Sequence, residues 1–499
     1  MPSDDKPEVY AALDLGSNSF HLLIARFEQR KLIVIDTHKD MVRFAAGLDA
    51  DNALSEEAIN RALDSLSKMA ERLRGVPADH IRIVGTNTLR MASNANSFIE
   101  QAERILPAPI NIISGTEEAR LIYLGVANDF SPGDSRRLVV DIGGGSTEVV
   151  IGAQKPKLME SMDMGCVSFS RRYFPDGKLS ESGFRKARNA AARELSPYIE
   201  AFRGQWDEAV GASGSIRTIG RIVRDNGFSE SSAITARSLT KLCDPLLNFK
   251  RCDEVDIKGL SSERQSVLPG GLAILVALFD ELDIDQMQTS EYAIREGIIH
   301  DLAGRLHHHD TRESTINHMV GQYHADTAQA QRVCNLALRW LPAINTDLKT
   351  DPREAEYLLR WASALHEIGL AIAHGGYHKH GAYILNNADM PGFSRQEQAR
   401  LAFLVLNHRR KPKTGEVPAS FRPDWLLVAL FRLACILHRR RQSRSIPAEV
   451  QVFADGKKAI TLSAPQSWLD DNPLTRADLE EEQELIALAG VQLNVAPAN

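Results

Sequence analysis

Two kinds of hydrophobic pattern follow each other along the chain. Up to about residue 306, short apolar runs of strand length alternate with helical segments whose apolar positions recur every three or four residues. This alternation favours α/β domains with helices flanking a mixed sheet. From residue 314 to about 444 long helical patterns dominate, which predicts an all-α domain. Residues 448–498 combine a strand pair around Asp455 and Gly456 with a glutamate-rich helix and a closing strand, which predicts a small α+β cap.

Several individual elements have clear boundaries in the sequence. The helical pattern of residues 54–73 has Ser55 in the position of an N-cap. The polar loop 128–136 contains proline and glycine and is the expected hinge within the first part. Other strands are expected at 81–85 and 110–114, and other helices at 86–92, 117–126, 327–341, 353–374, 396–407 and 425–440.

The stretch 138–152 predicts a strand, a tight turn and a second strand. Gly143, Gly144 and Gly145 occupy the turn, where glycine permits positive φ and lets backbone N–H groups converge on an anion. Asp141 and Glu148 flank the turn and would repel a bare phosphate, so a cation such as Mg²⁺ is expected between them and a phosphate. The alternative is an ordinary glycine-rich hairpin.

A second copy of this pattern lies near the N-terminus. Aligning Asp14 with Asp141 places Gly16 on Gly143 and Ser19 on Ser146, and apolar strands flank both turns. Two matched phosphate hairpins a domain apart predict a duplicated fold that closes on one ligand from both sides. The predicted phosphate contacts in the two turns are Gly16, Ser17, Asn18, Ser19, Gly143, Gly144, Gly145, Ser146 and Thr147.

The two turns, DLGSNS and DIGGGSTE, resemble the phosphate loops of the actin, Hsp70 and sugar-kinase superfamily. More narrowly, the chain resembles the Ppx/GppA family of exopolyphosphatases and pppGpp phosphatases. The resemblance continues in order through TNTLRMA (86–92), ISGTEEARLIYLG (113–125), MGCVSF (164–169), GASGSI (211–216) and SEYAIREGIIHDL (290–302).

This resemblance implies a fold and a domain order. We expect duplicated actin-like, ribonuclease H-like α/β domains, then an HD-like helical domain and a small α+β domain. The expected boundaries are 1–127, 128–306, 307–446 and 447–499. The resemblance also implies a homodimer.

Composition limits the classes of protein to consider. The chain has 499 residues, 43% hydrophobic and 25% charged, typical of a globular protein with several domains. Its net charge of −6 argues against bulk nucleic-acid binding, so an anion site must be local. Five scattered cysteines without CxxC spacing favour a reducing compartment and no structural zinc. No leader or membrane-spanning run is evident, which predicts a cytoplasmic protein.

Two adjacent acids begin the helix of the motif 113–125. Ser114 followed by Glu117 is a capping box, which provides Glu117 with a structural role. Glu118 has no such local partner, and the resemblance implies that it is the catalytic acid, holding the water that attacks the terminal phosphorus. From the residues alone, a solvated glutamate favoured by the helix dipole is the stronger interpretation.

The remaining predicted site residues are basic, metal-binding or small. Asp141 and Glu148, joined by Asp14, are the expected Mg²⁺ ligands. For Asp14 a turn-stabilising role is equally favoured. A monovalent cation such as K⁺ is a further candidate cofactor. The resemblance makes Arg90 a phosphate contact that neutralises charge in the transition state. Ser213 and Gly214 precede a helical run and could seat an anion, or simply begin a capped helix.

The helical part contains histidines and basic residues with competing interpretations. The pair His366-Glu367 resembles the His-Asp pair of HD phosphohydrolases, but glutamate replaces a metal-binding aspartate, which favours a scaffold without metal. The histidine run 307–309 is interpreted as a linker rather than a metal site. Basic residues at 409–413, 438–441 and Arg444 either guide a long polyanion or form an ordinary solvated surface.

The expected function is Mg²⁺-dependent release of orthophosphate from the ends of inorganic polyphosphate by direct water attack. The alternative is hydrolysis of pppGpp to ppGpp by the same centre, and ppGpp is then a product or an inhibitor. An ATP-using kinase or chaperone is less favoured because no acceptor-sugar signature is present. A non-catalytic sensor is less favoured because Glu118, Asp141 and Glu148 are all present.

Overall fold

Two sheets with the same strand order form the first part of the molecule. The computed structural model describes residues 8–29, 31–130, 133–230, 233–307, 310–415, 421–441 and 446–497. The chain divides into two compact units, Met1–Thr311 and Arg312–Asn499. The predicted four-way division at 127, 306 and 446 stays a prediction.

The first sheet has the order β3-β2-β1-β4-β5. Its first three strands are antiparallel neighbours, and β1, β4 and β5 run parallel. The strands are β1 (Val9–Leu15), β2 (Phe20–Glu28), β3 (Lys31–Asp40), β4 (Ile81–Gly85) and β5 (Ile110–Ile112). The helices of this half are α1 (Glu56–Arg72), α2 (Asn87–Met91), α3 (Ala95–Ala102) and α4 (Gly115–Ala127).

The second sheet has the order β10-β11-β9-β6-β7-β8, which repeats the first order with one added strand. Its strands are β6 (Arg137–Ile142), β7 (Thr147–Gly152), β8 (Pro156–Met162), β9 (Glu208–Ala212), β10 (Ile234–Thr235) and β11 (Gln286–Thr289). Its helices are α5 (Cys166–Tyr173), α6 (Glu181–Leu195), α7 (Ile199–Phe202), α8 (Ser213–Asp225), α9 (Ala236–Leu247), α10 (Ser262–Gln265), α11 (Leu268–Leu282) and α12 (Ile294–Leu306). The predicted internal duplication is therefore confirmed at the level of strand order.

Helices α4 and α12 each pack on the sheet of the other half. Helix α4 follows the first sheet but packs on β7 and β8, whereas α12 follows the second sheet and packs on β1 and β2. The two helices cross where Gly125 and Gly297 meet; a Cβ on Gly297 would lie 1.8 Å from the Leu121 carbonyl oxygen. Because the backbones touch, side chains at this crossing are excluded, and the two halves are held in one arrangement.

A buried ion cluster lies beside this crossing. Arg120 donates to both Glu117 and Asp301, and Arg82 donates to Asp301 and lies near Glu117. All four side chains are at most 8% exposed. The cluster joins β4, α4 and α12, so it fixes the helix whose first turn carries Glu118.

The second unit is helical with a small sheet at its end. The helices and the sheet of this unit share one hydrophobic core, which includes Leu359, Leu430, Val452 and Leu462. Its elements are α13 (Thr311–Gln322), α14 (Thr327–Trp340), α15 (Pro352–Leu365), α16 (Tyr377–Asn387), α17 (Arg395–Asn407), α18 (Trp425–Leu437), β12 (Gln451–Ala454), β13 (Ala459–Ala464), α19 (Gln466–Asp471), α20 (Pro473–Ala487) and β14 (Gln492–Pro497).

Most predicted elements are confirmed, with shifted ends. The hairpin around Asp455 and Gly456 is present, and Gly456 has φ +79°, a value that favours glycine. The long helix expected over 353–374 ends at Leu365, and a short 3₁₀ turn follows it. Among the described residues, every helix is too short or too polar to cross a lipid bilayer.

Candidate active site

The two predicted phosphate turns have the same local geometry. In the first loop (residues 16–19) a Cβ on Gly16 would lie 3.0 Å from the Ser19 carbonyl oxygen, and in the second loop (residues 143–146) a Cβ on Gly143 would lie 3.0 Å from the Ser146 carbonyl oxygen. Each loop joins the first two antiparallel strands of its sheet. The sequence alignment of the two turns is thus matched by their structures.

The two loops touch each other. A Cβ on Gly144 would lie 2.9 Å from Ser17 Cβ, and a Cβ on Gly145 would lie 2.2 Å from Asn87 Oδ1. None of the loop glycines has a φ in the positive range. The expectation that they supply positive φ is therefore wrong; these positions need glycine because neighbouring groups occupy the space of a side chain.

A cavity of about 540 Å³ opens between the loops. We call it the loop cavity. Arg90, Thr147 and Glu148 lie outside its lining; the Thr147 hydroxyl donates to the Met164 carbonyl oxygen, a structural bond. The predicted site residues that line the cavity are Asp14, Gly16, Ser17, Asn18, Ser19, Glu118, Asp141, Gly143, Gly144, Gly145, Ser146, Ser213 and Gly214.

Glu118 faces the loop cavity from the first turn of α4. The Ser114 hydroxyl caps this helix by accepting from the Glu117 N–H at 3.1 Å, which confirms that half of the capping box. The Glu117 carboxylate pairs with Arg120 in the buried ion cluster. The two adjacent acids are therefore separated, one held in the protein interior and the other presented to the cavity.

Arg90 holds Glu118 in place. Its Nη1 donates to Glu118 Oε2 at 2.7 Å and to the Ile113 carbonyl oxygen at 3.1 Å. Both side chains are at most 12% exposed. A charge-assisted bond of this kind fixes the direction of the carboxylate. In the structure the guanidinium therefore orients the predicted catalytic acid, and its predicted contact with phosphate stays a prediction.

Four carboxylates lie close together at the base of the site. Burial, reinforced by the charge of Glu118, raises the pKa of Asp14 to about 8 and that of Asp141 to about 7. The same two causes raise the pKa of Glu148 well above its usual value, although Ser161 donates to it at 2.8 Å. Asp14 Oδ1 is buried and has no hydrogen-bond partner. Such a cluster favours a bound cation, which would relieve the repulsion between the carboxylates.

The described residues hold no group of three or more His, Cys, Asp or Glu side chains placed to cage a metal ion. Mg²⁺ needs no such cage, because it usually takes one or two protein carboxylates and completes its shell with water and phosphate oxygens. The carboxylate oxygens of Asp14, Asp141 and Glu148 suit this ion when one or two of them bind it directly and the rest act through water. Their role as ligands stays a prediction.

Helix α8 begins at the cavity, three residues before the expected start. Ser213 has φ +74°, an uncommon conformation for a residue other than glycine, and its hydroxyl donates to the Ile142 carbonyl oxygen at 3.1 Å. A Cβ on Gly214 would lie 1.9 Å from an Arg264 nitrogen, so glycine allows this arginine to cross the helix start. The helix N-terminus and Arg264 together favour an anion here.

Sequence reasoning missed a group of basic residues beside the loops. A second cavity of about 750 Å³, the basic groove, shares Lys39, Arg217 and Arg264 with the loop cavity. Arg221 and Arg224 extend it along α8. The spacing of Arg217, Arg221 and Arg224 at i, i+4 and i+7 places them on one helix face, a signal that the sequence contains.

His21 is another missed residue. Its Nε2 lies 2.7 Å from the Ser19 hydroxyl oxygen, and it occupies the strand position that corresponds to Glu148 in the second copy. Burial and the neighbouring cations, Arg295 first among them, lower the pKa of His21 to about 2, so the ring is neutral. The duplication therefore replaces a carboxylate by a neutral ring at one of two equivalent positions.

The other basic and histidine predictions fall partly outside this site. Arg439 pairs with Asp478, and Arg441 pairs with Asp326 and Glu367, so part of the basic cluster is neutralised. Arg444, His308 and His309 lie outside the described residues. The absence of metal from the HD-like domain stays a prediction.

Comparison with known proteins agrees with the motifs. Residues 23–306 match the Ppx/GppA phosphatase family, and residues 311–483 match Ppx/GppA phosphatase, domain III. The chain is 41% identical over 482 residues (95% of each chain) to the guanosine-5'-triphosphate,3'-diphosphate pyrophosphatase of Vibrio vulnificus. It is 40% identical over 497 residues to the protein of the same name from Pseudoalteromonas translucida, covering 98% of this chain and 99% of that one.

Two solved structures share the fold. An exopolyphosphatase from Cytophaga hutchinsonii has a TM-score of 0.54 and 23% identity, covering 60% of this chain and 98% of that one. The Aquifex aeolicus member of the Ppx/GppA family has a TM-score of 0.52 and 23% identity, covering 61% of this chain and 99% of that one. The predicted fold class, actin-like α/β domains followed by a helical domain and a small sheet domain, is confirmed.

The comparison overturns one prediction. Polyphosphate was the expected main substrate, but the relatives that match nearly the whole chain are named for guanosine 5′-triphosphate 3′-diphosphate. The exopolyphosphatase prediction is therefore wrong, and its alternative is favoured. The phosphate turns could not distinguish the two candidate substrates, because both carry a terminal phosphoanhydride.

Proposed function

The chain belongs to the Ppx/GppA phosphatase family and is a hydrolase of phosphoanhydride bonds, and from this premise we propose that its substrate is guanosine 5′-triphosphate 3′-diphosphate (pppGpp). Water attacks the terminal phosphorus of the 5′-triphosphate, and the bond from that phosphorus to the bridging oxygen breaks. The products are orthophosphate and guanosine tetraphosphate (ppGpp). The names of the full-length relatives support this choice of substrate.

The observation that carries the proposal is the continuity of the loop cavity with the basic groove. The reacting phosphate needs only the loops and Glu118. The groove adds cations at Lys39, Arg221 and Arg264, which have no carboxylate within ion-pair distance among the described residues. A substrate with a second phosphate group, carried away from the reacting one on a nucleoside, would use both regions.

In the proposed reaction, water attacks phosphorus directly and the protein's own groups assist this attack. Glu118 accepts a hydrogen bond from the water and takes its proton as the new P–O bond forms. Arg90 keeps the Glu118 carboxylate in the orientation that this transfer needs. In this proposal, backbone N–H groups of the two loops donate to the phosphoryl oxygens and stabilise their charge. No covalent intermediate on the protein is required.

We propose that Asp141 and Glu148, with Asp14, hold Mg²⁺, one or two of them directly and the rest through water. The unpaired Asp14 Oδ1 and the raised pKa values of Asp14 and Asp141 support a cation at this position. When bound, Mg²⁺ supplies positive charge that neutralises the phosphate oxygens. A K⁺ site and a homodimer stay predictions.

The proposal is tested by measuring orthophosphate release from pppGpp and from long-chain polyphosphate with one protein preparation. We expect kcat/KM for pppGpp to exceed that for polyphosphate by at least about tenfold. Glu118→Gln is expected to lower kcat for pppGpp by roughly 10²- to 10⁴-fold, because the proton acceptor is lost while the shape is kept. Omitting Mg²⁺ is expected to lower the rate in the wild-type protein.

The matched control is Glu57→Gln. Glu57 occupies the first turn of α1 as Glu118 occupies the first turn of α4, but it is exposed and far from the loops in sequence. This variant should keep the wild-type rate. Faster hydrolysis of polyphosphate than of pppGpp would reject the substrate, and an active Glu118→Gln variant would reject the mechanism.

A further inference from the structure

The helical unit contains a cavity of about 360 Å³ that the proposed reaction does not use. We call it the helical cavity. It lies at the ends of α15 and α17 and against α18 and α20, where His366, Glu367, His408 and Arg432 line it. Its volume falls at the small end of the range for small-molecule sites, about 300–1,000 Å³. A ligand of mononucleotide size is compatible with this volume.

The floor of the helical cavity presents hydrogen-bond acceptors. His366 Nδ1 lies 2.8 Å from the Ser363 carbonyl oxygen, and His408 Nδ1 lies 2.6 Å from the Val405 carbonyl oxygen. Because a carbonyl can only accept, both Nδ1 atoms carry the proton, and each Nε2 is an acceptor while the ring is neutral. Burial lowers the pKa of both histidines, which keeps them neutral.

Two of these acceptors have no partner. His408 is 2% exposed and Glu367 is 7% exposed, and both His408 Nε2 and Glu367 Oε2 lack a hydrogen bond. The other oxygen of Glu367 accepts from Arg441 at 2.6 Å. Unpaired acceptors on side chains that line a cavity favour a ligand that carries hydroxyl or amino donors.

The lining of the helical cavity is net cationic, with five arginines against the four carboxylates of Glu367, Asp478, Glu481 and Glu482. Three of its arginines are neutralised, Arg432 by Glu482, Arg439 by Asp478 and Arg441 by Glu367. Arg409 and Arg410 have no carboxylate within ion-pair distance among the described residues, and the Arg409 guanidinium lies 4.6 Å from the centre of the Tyr377 ring. Guanidinium groups that are left unneutralised in a cavity lining favour a phosphate.

We propose that the helical cavity binds a small phosphorylated ligand that also carries hydroxyl or amino donors, of the size and chemistry of a mononucleotide. Its phosphate lies at Arg409 and Arg410, and its donors reach His408 Nε2 and Glu367 Oε2. A metal ion alone does not match this cavity, because the described residues contain no group of three His, Cys, Asp or Glu side chains that could hold one. Orthophosphate alone leaves the buried acceptors without donors.

The test uses the full-length chain and two probes, guanosine monophosphate and orthophosphate. Hydrogen exchange shows where each probe binds. The nucleotide should protect residues 366–378 and 407–411, and this protection distinguishes binding in the helical cavity from binding in the loop cavity. Calorimetry on Arg409→Ala should show about tenfold weaker binding of both probes at this site. Lys411→Ala is the matched control, because Lys411 is an exposed cation of the same loop that does not line the cavity.

A second variant separates a nucleotide from a simple anion. Glu367→Gln replaces the acceptor by an amide that cannot offer two acceptor oxygens, so guanosine monophosphate should bind about tenfold more weakly. Orthophosphate should bind as well as before or more tightly, because the substitution also removes a negative charge that neutralises Arg441 in the same lining. Equal effects on both probes would show an anion site only and overturn the proposal. The absence of protection at 366–378 and 407–411, or wild-type affinity in Arg409→Ala, would also overturn it.

Discussion

At the scale of single residues, the site concentrates negative charge where the fold would be more stable without it. Asp14, Asp141 and Glu148 are buried together, and Glu118 adds to the repulsion. A carboxyl group whose pKa is raised in the folded state binds more protons there than in the unfolded chain. The free energy of unfolding therefore falls as the pH rises from the ordinary pKa to the raised one.

Asp141→Asn is expected to stabilise the metal-free protein in a pH-dependent manner. Asp141 has its pKa raised from 3.8 to about 7, so its ionisation destabilises the fold increasingly between these values. The variant should gain about 4 kcal/mol in free energy of unfolding at pH 8 and less than half of that at pH 5. Chemical denaturation in the presence of a chelator at both pH values measures this difference.

The control for this measurement is Asp285→Asn. Asp285 is exposed in the loop between α11 and β11, so its removal should change stability little at either pH. An equal gain for Asp141→Asn at pH 5 and pH 8 would contradict the argument, because the effect would then not come from ionisation.

Arg90→Lys should separate a positioning role from direct substrate binding. The Arg90 guanidinium donates to both Glu118 and the Ile113 carbonyl oxygen. The lysine ammonium is a single point charge on a shorter side chain and cannot reproduce both bonds in the same geometry. We expect kcat to fall by roughly 10- to 100-fold with little change in KM, since the misplaced carboxylate affects the reaction more than binding. Steady-state kinetics with pppGpp measures both constants.

Arg104→Lys, at an exposed position after α3, is the corresponding control and should keep wild-type kinetics. A rise in KM with unchanged kcat would instead identify Arg90 as a ground-state phosphate contact. That result would restore the role predicted from the sequence motif.

At the scale of elements, the sequence predicted local structure better than the reasons for it. The strand–turn–strand units, the capping by Ser55 and Ser114 and the duplication all follow from short-range patterns. The need for glycine at 144 and 145 depends on Ser17 and Asn87, which are distant in sequence. No local pattern contains such a contact, so the explanation from positive φ was wrong although the element was correct.

The sequence also did not predict that α4 and α12 each pack on the sheet of the other half. The signature of this packing is a pair of helical glycines, Gly125 and Gly297, whose backbones touch. A glycine inside a helical pattern is ordinarily read as a weak point of the helix. Only the packing of the partner helix shows that these two positions are contact surfaces.

Gly297→Ala is expected to destabilise the first unit strongly. The new methyl group would lie 1.8 Å from the Leu121 carbonyl oxygen, a backbone atom that cannot move without separating the helices. We expect a loss of at least about 3 kcal/mol in free energy of unfolding. Differential scanning calorimetry should show a lowered melting temperature for one transition.

Gly321→Ala in α13 is the matched control. Gly321 is an exposed helical glycine with open space around its Cβ position. Alanine should therefore raise helix stability by up to about 1 kcal/mol. Similar destabilisation by both substitutions would show that helix propensity, and not the helix crossing, determines the effect of Gly297.

At the scale of the whole molecule, the family follows from motifs along the entire chain, but the substrate does not. In the proposed reaction, the loops, Glu118 and the acidic cluster act on a terminal phosphate whatever carries it. Discrimination depends on surfaces beside the reacting group, and the basic groove is built from β3, α8 and α10, which no single motif contains. This explains why reasoning from the loops reached the hydrolase class and the wrong principal substrate.

In the proposed function, the basic groove attracts the substrate electrostatically on a molecule whose net charge is −6. The KM for pppGpp should therefore rise roughly three- to tenfold between about 0.05 M and 0.5 M salt, while kcat changes little, because salt screens exposed charges more than the buried loops. The double variant Arg221→Gln/Arg224→Gln should have a higher KM at low salt and a flatter salt dependence. Both arginines are exposed on α8, so folding should be unaffected.

The control, Arg185→Gln/Arg193→Gln, removes the same charge from two exposed positions of α6, outside the groove lining. If the net charge of the molecule determined attraction, both double variants would raise KM equally. If the groove does so, only the α8 variant will change the salt dependence, because screening confines the effect of each charge to about 10 Å at 0.1 M salt. Equal effects would therefore remove the basic groove from the account of substrate recognition and leave the loops alone to explain it.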